Sequence, residues 1–519
     1  MSFEVNKDTI KIYKQINPLK VKSIVDSDII VPDSKPDVSE ILQVNAIASV
    51  DEKYVQKDFI TVSGYLDYII LYTGSENENT IKCIKHKTPY TQQIDAPGIN
   101  DEMTNYVIAD VSHIEFGIKN SRKINIKSVV VFDTGVIGTT SVNAVSSVVS
   151  TVNIPNKTED IDVLNISVFE QTDFSLEHDI KISVDSGDET EILKVDYKIS
   201  DEEIKTVNNK VIAKGTMDVD VLYSVNDDLC HVQSEIPFTE VFDADNITPQ
   251  MHTEIQYNLT SVDYDLTVNE DDEYFISLNA KTEVLIRGYD VNSYNVISDI
   301  YSPDYKMEYN YEDCSVLCIK DTFSKDYAIT EKISISESPF SISKVCNLNV
   351  KPNIETIVPY NSYCLTEGFF DIKLLYISDN ETLKLCSHNE KIPFSIKTDS
   401  KSIHSDSVLD VKLSMIHSGY VLNSEKDIDI RINLHGSYKV LSEDKKRILS
   451  DINLYEDEIL KKENQSGITI YFADDKEKLW DVAKRFSTTV EEIAEVNNLD
   501  ADAVLTSRQQ LLIPKRIAL

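Results

Sequence analysis

The chain has 519 residues, too many for one hydrophobic core and enough for three or four domains. Hydrophobic residues make up 41% of it, which excludes wholesale disorder. Asp and Glu outnumber Lys and Arg by 88 to 51, a formal charge of −37, and such a field repels nucleic acid and anionic lipid.

Met1 to Asp8 has no basic stretch leading into an apolar run, so no secretory signal is read there. The longest apolar stretches, such as Val129 to Phe132, are far short of a bilayer span, so no direct membrane insertion is expected. Seven cysteines (83, 230, 314, 318, 346, 364, 386) are odd in number and lack a CxxC pair. They suit buried thiols in a reducing compartment.

Residues 1–20 are read as an N-terminal segment. A first repeat, 21–155, opens on Asp28 to Asp37, whose two prolines mark an extended arm with turns that leads into Ile41-Leu42. Its main strand runs Ser63-Gly64-Tyr65-Leu66-Asp67-Tyr68-Ile69-Ile70-Leu71-Tyr72. The pattern returns from Gly215 to Tyr223 and from Gly368 to Tyr376, at offsets of 151 and 153 residues, a domain-sized internal repeat. Further copies are therefore placed at 165–305 and 311–445.

Because side chains alternate along a strand, Leu66, Tyr68, Ile70 and Tyr72 share one face, as do their counterparts. All twelve residues are apolar or aromatic, so that face meets a core. The opposite face starts with Asp67, Asp218 or Asp371 and ends with Leu71, Leu222 or Leu375, wet at one end and covered at the other. The repeated glycine suits a bulge, a turn exit or a close backbone crossing.

Polar loops follow at 74–79, 225–229 and 378–382. A Pro-aromatic-hydroxyl signature comes next, at Pro89-Tyr90-Thr91, Pro237-Phe238-Thr239 and Pro393-Phe394-Ser395, reading as a strand edge with an aromatic plug. Each copy closes on a hairpin around a five-residue polar turn: 119–123, 269–273 or 423–427. Asp133 to Asp162 reads as an extended linker, and Asp299 to Asp313 as either linker or edge strand. Ser442 to Gln465, with Ile448, Leu449 and Ile452, reads as a helical connector within a charged linker placed at 446–466.

The pattern then changes period. Within 467–514 a strand ending at Tyr471-Phe472 precedes a helix that presents Leu479, Val482, Ala483 and Phe486 on one side. A second helix, capped by Thr488 or Thr489, precedes the strand Leu511-Leu512-Ile513. The fold class is mainly β: three β-sandwich or barrel-like domains and a small β-α-α-β module.

That module resembles a LysM domain in Tyr471, Trp480, Ala483, Phe486, Thr489 to Ile493, Asn497-Asn498-Leu499 and Ile513-Pro514. It departs from the family at Lys476-Glu477-Lys478, where Gly-Asp-Thr is usual, and at Arg508, where a turn glycine is usual. The repeats resemble SPOCS domains in Val31 to Asp37 with Ile41-Leu42, in the Gly-to-Tyr strand and in the Pro-aromatic signature. Together the modules resemble the SipL family of spore-coat morphogenetic proteins. The resemblance implies a scaffold in the mother cell, at the forespore surface, that binds the coat morphogenetic ATPase SpoIVA through its LysM domain.

No P-loop, GxGxxG, HExxH or GxSxG sequence occurs, and the nine histidines are scattered singly. The repeated Asp67, Asp218 and Asp371 lack the second acid that glycoside hydrolysis needs and read as strand-end acids satisfying a local turn. The reading is therefore non-enzymatic, without cofactor or metal. Gly467 onward carries seven basic and nine acidic residues, leaving −35 of the charge on the rest of the chain. This least acidic region, with the only tryptophan, is the expected partner-binding face: Lys476, Lys478, Trp480, Lys484 and Arg485. The rival readings are a LysM protein of the spore cortex or envelope that binds peptidoglycan or N-acetylglucosamine, disfavoured by the three long charged side chains at 476–478, and a hydrolase within the repeats.

Overall fold

The computed structural model describes residues 3–75, 81–101, 103–185, 187–335, 341–378, 385–460, 467–501, 503, 505 and 508–514. The polar loops expected at 74–79 and 378–382 lie largely outside these residues, as does 461–466 of the charged linker.

Each repeat is two three-stranded antiparallel sheets closed face to face. In the first, β1 (Phe3–Ile30), β6 (Lys123–Ser150) and β5 (Thr104–Asn120) form one sheet, in that order. The other is β2 (Val38–Gln56), β3 (Phe59–Gly74) and β4 (Ile81–Asp95). In the second repeat β7 (Asn156–Ile182), β12 (Tyr274–Ile300) and β11 (His252–Val268) face β8 (Thr190–Val207), β9 (Lys210–Val225) and β10 (Asp228–Asp243). In the third, β13 (Tyr305–Ser334), β18 (Asp427–Ile459) and β17 (Val408–Leu422) face β14 (Ile342–Tyr360), β15 (Tyr363–Ser378) and β16 (Leu385–Asp399).

The recurring strand is β3, β9 or β15, the middle strand of its sheet. Its twelve inward residues are all buried, and they pack on the inner faces of β6, β12 and β18. The two repeated signatures prove to be cross-strand partners: Gly64 lies opposite Tyr90, Gly215 opposite Phe238 and Gly368 opposite Phe394. A Cβ on Gly64 or Gly368 would come within 1.9 Å of the carbonyl oxygen of Ser49 or Asn353, with the aromatic ring next in line. Glycine is needed because backbone and ring both close over it. The prolines beside those rings sit on β4, β10 and β16, the outer strands, where a missing N–H costs no ladder bond.

The proline-rich opening of the first repeat wraps one guanidinium. Arg122, in the β5–β6 turn, donates to the carbonyls of Val31, Pro32 and Lys35 and to the carboxylates of Asp33 and Asp37.

Long strands replace most of the expected linkers. Residues 3–20, set apart in the sequence, are strand, and β1 runs beside β6 from Phe3 onward. Paired ends of β1 and β6, β7 and β12, and β13 and β18 extend beyond the sandwiches as three ribbons packed on one another. Ala144, Val296 and Ile448 meet in one shared core and Val145, Ile297 and Leu449 in another. Over 442–459 the expected helical connector is instead the end of β18, which reaches Ile459. Its helix-like pair Ile448-Leu449 lies just before a β-bulge at Ser450, with Ile448 buried in one ribbon core and Leu449 in the other. The same bulge occurs at Ser146 and Ser298, and each serine hydroxyl donates to the carbonyl across the ribbon, of Asn6, Lys157 and Asn310 respectively.

The three sandwiches close into a ring. Leu71, Leu222 and Leu375, the covered ends of the recurring strands, meet in one buried cluster with Leu42, Leu193 and Cys346. Polar links span every junction: Asn45 to Asp196 at 3.2 Å, Lys194 to Asn347 at 3.2 Å and Lys373 to Asn45 at 2.9 Å. Lys198 donates to the Ile416 carbonyl of the third repeat, and Lys351 of the third pairs with Asp110 of the first at 2.6 Å. Lys439 of the third repeat pairs with Glu254 of the second, both nearly buried. Burial alone would raise the Glu254 carboxyl, but hydrogen bonding from His252 and the charge of Lys439 hold it well below the usual carboxylate range.

Candidate docking face of the C-terminal module

The module packs β19 (Ile468–Ala473) and β20 (Gln509–Pro514) against α1 (Leu479–Arg485) and α2 (Val490–Asn497). Leu479, Val482, Ala483, Ile493, Leu511 and Ile513 form the core, as the periodicity predicts. Thr489, not Thr488, caps α2: its hydroxyl accepts from the Glu492 N–H while the Glu492 carboxylate accepts from the Thr489 N–H, a complete capping box. Asn498 ends α2 at φ 54°, and the Asn497 side chain bonds both the carbonyl and the N–H of Leu512, locking β20 in register.

The β19–α1 loop is built around an acid. The Glu477 carboxylate accepts from the Asp474 N–H and the Tyr471 hydroxyl and pairs with Arg485 at 3.1 Å. Lys476 stands at φ 65°, the left-handed conformation that glycine adopts without cost, and is exposed together with Lys478. Arg485 lies against Tyr471, donating to its hydroxyl.

Trp480 and Lys484 have a different fate. Trp480 is 8% exposed, and the residues covering it come in part from the repeats. Its indole N–H donates to one carboxylate oxygen of Asp299 at 2.7 Å, and Lys484 donates to the other at 2.5 Å. The Tyr301 ring packs edge-on to the indole at 5.0 Å, and its hydroxyl donates to the Thr488 carbonyl at 2.9 Å. Lys157 lies 4.6 Å from the centre of the indole ring. Tyr301 is itself part of the module's buried cluster, so one aromatic of the repeat body completes the LysM-like core. Of the five expected partner-binding residues, the structure groups Trp480 and Lys484 on Asp299 and leaves Lys476, Lys478 and Arg485 on the solvent side.

Another face stays uncovered. Ile468, Ile470 and Phe472 alternate along the outer side of β19 and are 56%, 56% and 69% exposed. Ile470 lies opposite Leu512 of β20, so the two strands share the apolar surface.

The SPOCS-domain model of the SipL family matches residues 37–119 and 189–267, and the LysM-domain model matches 477–514. The chain carries SipL-type SPOCS domains and a LysM domain. No curated protein and no solved structure matches it. The third repeat, 305–459, lies outside the matched segments, yet it shares the strand order and the glycine–aromatic pairing of the other two. The combination is that of a sporulation-related LysM protein built from non-catalytic domain types.

Chemistry is sparse elsewhere in this SPOCS–LysM chain. Among the described residues no group of three or more His, Cys, Asp and Glu could hold a metal, and no helix is long and apolar enough to cross a membrane. Asp67 is not at a strand end satisfying a turn. It sits mid-strand and pairs with Lys87 on the neighbouring strand at 3.2 Å, and burial raises its carboxyl above the ordinary value. Sequence reasoning missed Asp299 and Tyr301. The only signal was a recurrence at 152 residues, Ala144-Val145-Ser146, Val296-Ile297-Ser298 and Ile448-Leu449-Ser450, which places Asp299 at the end of a ribbon and not in a linker.

Proposed function

We propose that this SPOCS–LysM chain is a non-enzymatic spore-coat assembly scaffold. Its LysM module binds the coat morphogenetic ATPase SpoIVA and so helps localise coat around the forespore, within the mother cell. The observation that carries the reading is the apolar ladder of Ile468, Ile470 and Phe472, left uncovered on a module whose core is already filled, Tyr301 of the body included. An exposed apolar patch beside exposed cations is the surface of a protein-binding module. The exposed Lys476, Lys478 and Arg485 supply the cations.

A rigid ring of three sandwiches holds that module at the end of the ribbons, away from the sheets that close the ring. Several such chains on a polymerised coat layer would gain avidity from linked weak contacts. The test is capture of purified SpoIVA by the immobilised full chain, repeated with Ile470→Ser and Phe472→Ser together. Loss of capture, with Trp480 emission unchanged as a check on folding, is the expected result. Equal capture by the double variant removes the ladder from the interface, and retention of the chain on chitin in place of SpoIVA capture would favour the glycan reading.

A further inference from the structure

We propose that the Trp480 face of the LysM module is a self-occupied docking surface: Asp299 and Tyr301 fill it at rest, and a partner reaches it only by displacing them. The proposal rests on the partner reading above and adds to the open ladder of β19 a second surface on the same module, one that is gated.

The clasp consists of side chains from two places. On the body it is Lys157 at the start of β7, with Asp299 and Tyr301 at the end of β12; on the module it is Trp480, Lys484 and the Thr488 carbonyl. The clasp joins three hydrogen bonds to one aromatic pair, and contacts of mixed polar character between parts of a chain are ones that open. Asp299 and Lys484 are each about one-third exposed, so salt weakens their attraction.

Position argues the same way. Asp299 follows the ribbon bulge at Ser298, as Asp451 follows the bulge at Ser450. Asp451 takes a cation from within the ring, Lys7 at 2.7 Å. Asp299 instead takes its cation and its indole donor from the module. The acidic body thereby holds the one region of the chain that carries little net charge.

The masked residue is also the one with most to offer a partner. Tryptophan dominates the energetics of protein interfaces, and a cation beside it favours an acidic, aromatic ligand. Asp299 and Tyr301 have that chemistry, and a partner presenting a carboxylate next to a ring competes for the same bonds.

Trp480 is the only tryptophan, so its fluorescence reports the clasp directly. The experiment uses the full chain, wild type and Asp299→Asn, with acrylamide quenching of Trp480 and capture of SpoIVA measured in parallel at low and high NaCl. Tyr301→Phe, which keeps the ring and removes the hydroxyl that donates to Thr488, serves as the milder variant. Masking predicts stronger quenching and red-shifted emission for Asp299→Asn, with SpoIVA capture raised about tenfold, as expected for losing charge-assisted bonds from the closed state. Tyr301→Phe should fall between, and high salt should move wild type toward Asp299→Asn. If Trp480 is no more accessible in Asp299→Asn than in wild type even at high salt, the clasp is not the shield and the proposal falls. Opening with unchanged or weaker capture also overturns it, because the face is then not gated. If no chain captures SpoIVA, wild type included, the partner reading fails, and masking stands or falls on whether quenching separates the variants.

Discussion

Gly368 shows how much one missing side chain decides. With the Asn353 carbonyl 1.9 Å from where a Cβ would sit and the Phe394 ring closing the same space, neither backbone nor core has room to yield. Gly368→Ala should cost about 3 kcal/mol, at the upper end for overpacking, seen as a lowered urea midpoint with unchanged slope. Lys476 presents the opposite case. It holds a left-handed backbone with a full side chain on an exposed loop, where the LysM pattern usually has glycine. Lys476→Gly relieves that strain and gives back part of the gain in chain entropy, so the module should gain about 0.5 kcal/mol. Hydrogen exchange at the amides of α2 would measure it. Slower exchange is the expected result, and faster exchange would show that the lysine is held by something besides its backbone.

At the scale of the element, the core strands were legible and their ends were not. Period-two alternation and a triple recurrence located β3, β9 and β15 because a half-buried strand writes its faces into the sequence. The ribbon ends misled because Ile448 and Leu449, next to the bulge at Ser450, are both buried, one in each ribbon core, and an adjacent buried pair breaks strand alternation and mimics a helix. A recurrence of apolar-apolar-Ser at equal intervals was the available correction. Contacts between elements leave no period, which is why Asp299 could not be matched to Trp480, 181 residues away. The same holds for Glu254 and Lys439, which join the second and third repeats. Glu254→Gln leaves Lys439 without its nearest carboxylate and should cost about 2 kcal/mol at neutral pH. The folded-state value of Glu254 lies below its unfolded value, so its contribution is complete above the ordinary carboxylate range. It is lost as pH falls through the lower, folded value. Thermal melts of wild type and variant should therefore differ most above about pH 5 and converge in acid. A gap that widened on acidification would contradict the assignment.

For the molecule as a whole, the outer face of the recurring strand matters as much as its core face. The sequence marks Leu71, Leu222 and Leu375 as covered without saying by what, and the cover turns out to be the other two repeats. No sandwich can bury that leucine alone, so the ring behaves as one folding unit in spite of its three cores. The inter-repeat bonds of Asn45, Lys194 and Lys373 add to the coupling, since each donor or acceptor would be stranded by the loss of a neighbouring repeat. Leu222→Ala should then cost about 3 kcal/mol, the ordinary price of a buried leucine truncation, and the loss should be shared. Calorimetry would show the whole ring melting earlier as one transition. Independent domains would give a different record: an early endotherm for the second repeat and two unshifted ones. That outcome would dissolve the rigid platform on which the module is presented, whereas a single shifted transition would mean that a disturbance at the centre of the ring reaches the ribbon end where Asp299 holds Trp480.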